Sequence, residues 1–169
     1  FTYLGLPMGT IRPLVSDLMP VVESAERKLS SSLCMLNQGS KLTLLNSLIT
    51  SLMIYPMCTL KLPMKIVEYI DKIRRWCLWH KKIENGESCN SMAAWELVCK
   101  PKSCGGLGIL DIKVQNQGLL MKFLHSFYNK KDMPCCEIVW STYYDGKIPH
   151  AAEACGSFWW RDVMNLSDA

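Results

Sequence analysis

Apolar residues recur at helical spacing in four separate stretches of this chain, and each stretch must bury one face against the others. In the first, Leu18, Val21, Val22, Ala25 and Leu29 form one stripe, with Ser16 placed to cap it and the serines 30–32 to end it. Pro20 falls near the first turns, where its missing N–H costs least. The second stretch runs from Lys41 to about Tyr55, with Leu45, Leu48, Ile49, Leu52 and Met53 on its apolar side. Gly39-Ser40 supplies a break and a cap before it, and Pro56 ends or kinks it. In the third, Ile66, Ile70, Ile73 and Cys77 line up behind Pro63, a residue suited to a first helical turn. In the fourth, Asp111 caps a helix whose apolar face is Leu120, Phe123, Leu124 and Phe127.

The remaining segments are short. Residues 1–12 are β-prone and punctuated by Gly5, Pro7 and Gly9, which reads as a strand or hairpin. Residues 83–92 read as a polar loop, and a short helix is expected around Ala93–Val98. Then come Lys100-Pro101-Lys102-Ser103-Cys104-Gly105-Gly106-Leu107-Gly108-Ile109, with three glycines in four residues. Such a run makes a tight reversal through positive φ, or else cradles a phosphate on its backbone amides. It matches neither a P-loop nor a dinucleotide fingerprint. From Asp132 the periodicity breaks up into a crowd of Trp and Tyr, with one more helix near 135–144 and irregular structure beyond. The expected fold is mainly α, with a short N-terminal β segment and an irregular aromatic C-terminal tail.

Charge divides the chain. Residues 1–131 carry 17 Lys+Arg against 9 Asp+Glu, a net of +8, and residues 132–169 carry 2 against 6, a net of −4. A basic body meets a polyanion or simply solvates its surface. Within 65–82, Lys65, Lys72, Arg74, Arg75, Lys81 and Lys82 face only Glu68 and Asp71, with Trp76 and Trp79 between the cations. That mixture suits a surface tracking a nucleic-acid backbone, or tryptophans packed on neighbouring helices. The nine cysteines are odd in number and scattered through apolar patterns, so they read as reduced intracellular thiols. Cys77-x-x-His80 and Cys99-x4-Cys104 lack the second pair that a zinc site wants. No Asp-Asp pair suggests two-metal chemistry, and His80, His125 and His150 carry no local nucleophile signature. The 19 uncharged residues between Lys41 and Lys61 hold polar residues at helical spacing, which suits a buried helix better than a bilayer span.

An ordered series of short motifs adds to this. It runs Tyr3-Leu4-Gly5-Leu6-Pro7, Leu42-Thr43-Leu44-Leu45-Asn46-Ser47, Lys61-Leu62-Pro63 and Ile70-Asp71-Lys72-Ile73-Arg74-Arg75 with Leu78-Trp79. It continues with Trp95-Glu96-Leu97-Val98-Cys99-Lys100-Pro101-Lys102, Gly105-Gly106-Leu107-Gly108-Ile109, Asn116 with Leu119-Leu120 and Lys122, and Gly156-Ser157-Phe158-Trp159-Trp160-Arg161-Asp162. Over nearly its whole length the chain resembles the region C-terminal to the polymerase active site in plant LINE-type (non-LTR) retrotransposon reverse transcriptases. Departures are Gly39-Ser40-Lys41 in place of Gly-Gly-Arg, Cys34 and Cys135 where Trp is common, and Gly118 in place of a helix former.

The resemblance implies a helical, thumb-like bundle. Residues 1–12 would end the palm, with Tyr3, Leu4 and Gly5 in a primer-grip hairpin. Residues 13–82 would be the thumb, 83–131 the Gly-rich turn and following helix, and 132–169 a tail toward a downstream segment. The palm, with its Asp pair and its Mg, would precede Phe1, so this part has no catalytic residues, metal or cofactor of its own. Its partners would be an RNA template, a DNA primer and the palm, with no membrane, in an intracellular setting, nuclear or cytoplasmic. Lys41, Arg74, Arg75, Lys100 and Lys102 are expected to touch phosphates, and Gly105, Gly106 and Gly108 to shape the turn. The competing reading is a degenerate retroelement-derived reading frame without activity, or a helical module that binds protein through exposed tryptophans.

Overall fold

The structure is a computed structural model and describes residues 2–7, 9–32, 36–83, 86–88, 91–129, 133–144 and 156–166. The expectations at Cys34, at His150 and for residues 145–155 lie outside these, as do those for the side chains of Leu48, Ile49, Lys81 and Lys82.

The chain is mainly α-helical. Strands β1 (Thr2–Tyr3) and β2 (Leu6–Pro7) pair antiparallel, with Thr2 opposite Pro7 and Tyr3 opposite Leu6. Leu4 (φ 50) and Gly5 (φ 83) make the two-residue turn, and a positive φ at both central positions is the hairpin form that matches strand twist. Helix α1 spans Val15–Ser32 and opens on Asp17, whose carboxylate accepts from the Leu14 N–H at 2.9 Å. Helix α2 (Gln38–Leu44) passes through a π-helical turn (Leu45–Ile49) into α3 (Thr50–Thr59). The cap before α2 is Asn37, whose side chain accepts from the Ser40 N–H at 2.8 Å, so the helix starts ahead of the expected Gly39-Ser40 break. Pro56 sits inside α3 and neither ends it nor stops its neighbours Met53 and Met57 from burying. The continuous helix Gln38–Thr59 is long and apolar enough, by length and composition, to cross a membrane; here Leu45, Met53 and Met57 enter the core.

Helix α4 (Met64–Trp79) follows Pro63 and buries Ile66, Ile70, Ile73 and Cys77 as its periodicity requires. Where a loop was expected at 83–92, strands β3 (Lys81–Ile83) and β4 (Gly86–Ser88) pair antiparallel. Helix α5 (Trp95–Cys99) and a 3-10 turn (Lys102–Cys104) lead through the glycines to α6 (Ile112–Tyr128), capped by Asp111 onto the Val114 N–H at 3.1 Å. Helix α7 (Pro134–Val139) continues into a π-helical turn (Trp140–Tyr144). The tail is not irregular throughout. Ser157 caps a further helix, α8 (Phe158–Met164), which buries Trp160, Val163 and Met164.

Two cores result, and α6 belongs to both. The first joins α1, α3, α4 and α5, with Leu6 from the hairpin and Ile109 and Ile112 at the start of α6. The second gathers around Phe127 of α6. The Trp140 ring stacks on it at 4.6 Å, the Trp160 ring meets it at 4.7 Å, and the Trp160 indole N–H donates to the Tyr144 hydroxyl at 2.7 Å. Asn116 fixes α6 to the first core. Its amide donates to Met57 O (2.7 Å) and Leu60 O (2.9 Å), and its Oδ1 accepts from the Leu62 N–H at 2.9 Å. A salt bridge from Arg12, ahead of α1, to Asp162 in α8 brings the two ends of the described fold together.

Removing Asn116 strands three buried backbone groups, each worth about 1–3 kcal/mol when unsatisfied. Asn116→Ala is therefore expected to lower the unfolding free energy by about 3 kcal/mol in urea denaturation. A loss below about 1 kcal/mol would show that the latch is dispensable. Gly118 lies exposed on α6, and a Cβ there meets nothing within 4 Å, so Gly118→Ala is expected to add about 1 kcal/mol in the same assay.

Candidate nucleic-acid interface

The Gly-rich turn is closed on itself. Gly105 (φ 79) and Gly108 (φ 69) adopt the left-handed backbone that glycine tolerates. At Gly106 a Cβ would sit 2.0 Å from Lys100 O, so no side chain fits. The amides of residues 105–108 point inward. Gly105 donates to Lys102 O (3.2 Å), Gly106 to Pro101 O (3.1 Å), Leu107 to Val98 O (3.1 Å) and Gly108 to Lys100 O (2.9 Å). With these four N–H groups spent on the turn itself, the glycines offer no amide to cradle a phosphate. Lys100 and Lys102 stand exposed beside it.

The expected phosphate contacts divide into two groups. Lys41 is buried, and its ammonium donates to His80 O, the carbonyl of the residue that closes α4. A cation there meets the negative end of the helix dipole. Arg74 is only 2% exposed. Its guanidinium donates to Asp71 Oδ1 at 2.8 Å and to Leu110 O at 2.6 Å, and lies 5.3 Å from the Trp95 ring centroid. Neither cation is presented to a ligand, so the expectation for Lys41 and Arg74 is corrected: both hold the fold. A count of charges cannot reveal this, because a cation with internal carbonyl or carboxylate partners reads the same in sequence as a solvated one.

Arg75 faces outward, with its guanidinium carbon 5.4 Å from the same Trp95 ring. Trp95 thus ties one buried and one exposed arginine to α5, which Lys100 follows as its C-cap. Arg75, Lys100 and Lys102 are the expected contacts that remain at the surface, and Lys65 and Lys72 add exposed cations on α4. Of the hairpin residues, Tyr3 is 56% and Leu4 71% exposed, while Leu6 beneath them is buried against α1. Among the described residues no group of three His, Cys, Asp or Glu is placed to hold a metal. Burial raises the pKa of the Cys99 thiol, which disfavours the nucleophilic thiolate.

Two contacts were missed in sequence. Asn116 had a signal: it is a polar residue in line with Ile112, Leu120 and Leu124 on the buried side of α6. The Arg12–Asp162 pair, 150 residues apart, had none.

A protein of Arabidopsis thaliana named "Putative ribonuclease H protein" is 28% identical to this chain over 113 residues. The match takes in 67% of this chain and 18% of the relative, so the chain spans less than a fifth of that protein's length. No family model and no solved structure matches the chain.

Asp71 gives the buried arginine a pH signature. Burial raises its carboxyl above the ordinary 3.8, against the opposing pull of Arg74 and Arg75. Between 3.8 and that raised value the folded chain keeps a proton that the unfolded chain has released. The contribution of Asp71 to stability therefore falls as pH rises through this window. The difference in unfolding free energy between wild type and Asp71→Asn should shrink as pH climbs from below 3.8 and level off above the window. Urea titrations across the acid range check this, and a difference that grows with pH contradicts it.

Proposed function

We propose that this chain is a non-catalytic, thumb-like segment of a plant non-LTR retroelement RNA-directed DNA polymerase. It holds an RNA template and DNA primer by their phosphates and works beside a palm domain that carries the Asp pair and the Mg. The observation that carries this reading is the outward-facing set Arg75, Lys100 and Lys102, around α5 and the Gly-rich turn. The series of motifs in order along the chain supports it, and the ribonuclease H name of the Arabidopsis relative agrees with a setting in nucleic-acid metabolism. The exposed Tyr3 and Leu4 of the hairpin suit contact with the palm. The setting is intracellular, nuclear or cytoplasmic, with no membrane contact.

Binding of the purified chain to a short RNA–DNA hybrid should weaken linearly in log salt. Arg75→Ala, Lys100→Ala and Lys102→Ala should each lower that slope by about 0.9 and weaken all hybrid sequences alike, while Lys41→Met and Arg74→Met should act through stability instead. Absence of hybrid binding at low salt overturns the reading.

A further inference from the structure

Helix α4 has a second face that the phosphate contacts do not use up. Opposite its buried stripe, Lys65, Glu68, Tyr69, Lys72, Arg75 and Trp76 are all exposed. Their spacing of three and four residues puts them on one outer strip of the helix. The strip alternates rings with cations, and only Glu68 opposes three positive charges. Tyr69 is 36% and Trp76 39% exposed, and of the six tryptophans Trp76 alone is exposed; the others are half-buried or buried. The His80 ring lies against Trp76 at 4.5 Å, tilted by 30°, which steadies the indole in place. Between the two rings, where α4 meets α1, is a recess of about 280 Å³ lined by Glu26, Tyr69, Lys72, Ile73, Trp76 and Cys77.

We infer that this strip binds unpaired nucleic acid, with bases stacked on Trp76 and Tyr69 and the strand's phosphates on Lys72 and Arg75. The two rings are seven positions apart, a rise of about 10 Å along the helix, which leaves room for a strand to pass from one to the other. An aromatic ring takes any base by its flat face, and a neighbouring cation takes the phosphate beside it. An apolar peptide would want the rings contiguous, whereas here Lys72 lies between them and the strip carries net positive charge. The inference rests on the nucleic-acid reading above and adds single strands and base contacts to it.

The test compares three labelled probes on the full chain: a 12-nucleotide single-stranded DNA, a 12-unit abasic strand of the same charge, and an RNA–DNA hybrid. The base-bearing strand should bind more tightly than the abasic one. Trp76→Ala and Tyr69→Ala should each weaken it by about 5- to 150-fold, leave the abasic strand unaffected and leave the salt slope unchanged. Trp76→Phe should restore most of the affinity, and Lys72→Ala should lower the slope by about 0.7. Equal affinity of the wild-type chain for the base-bearing and abasic strands overturns the stacking site, whatever the folding of the variants. If the hybrid still binds in that case, the phosphate reading stands and this inference alone fails. If none of the three probes binds at low salt, both fail.

Discussion

The arrangement depends on one amide group. Where α3 ends and α4 begins, the chain leaves the carbonyls of Met57 and Leu60 and the N–H of Leu62 in a place where Leu60 and Leu62 are buried. Helix ends always carry such unsatisfied groups, and water usually takes them. Here the Asn116 side chain does so, with two donors and one acceptor in a single plane. That contact sets α6 against α3. It thereby places Leu110 within reach of Arg74 at one end, and Phe127 at the centre of the aromatic core at the other.

The second constraint is the inward turn of two cations. Arg74 is tolerated at near-complete burial because it has Asp71 three residues back on the same helix, a backbone carbonyl ahead of α6 and an indole ring beside it. Lys41 answers the carbonyl end of α4. Both stabilise the platform on which Arg75, Trp76, Lys100 and Lys102 are displayed. The basic surface is therefore smaller than the composition suggests, and its remaining members are arranged by the buried ones.

Much of the fold is legible in the residues. The stripes of α1, α4 and α6 and the Asp111 cap appear where helical periodicity puts them, because a 3.6-residue repeat of apolar side chains has few other ways to bury itself. The π-helical turn inside the helix from Gln38 to Thr59 left no mark in its sequence. The hairpin of β3 and β4 falls in a mostly polar stretch, where no apolar alternation marks a strand. Helix α8 was hidden for another reason. Phe158, Trp159 and Trp160 are adjacent, so no periodicity shows, and the helix forms because Trp160, Val163 and Met164 find Phe127 and its neighbours in space. For the candidate interface, residue type does not distinguish Arg74 from Arg75, and only burial separates them.

The clasp between Arg12 and Asp162 has a mechanical consequence. The chain enters and leaves the helical unit at one corner, so a pull applied there loads the Arg12–Asp162 ion pair, 62% exposed on the arginine side, together with the packing of Phe158 and Trp159 on the first core. The arginine is solvated but Asp162 is buried, so parting the pair leaves a buried carboxylate without its partner. Tension at that corner thus bears on the clasp, in which the outer strip of α4 takes no part.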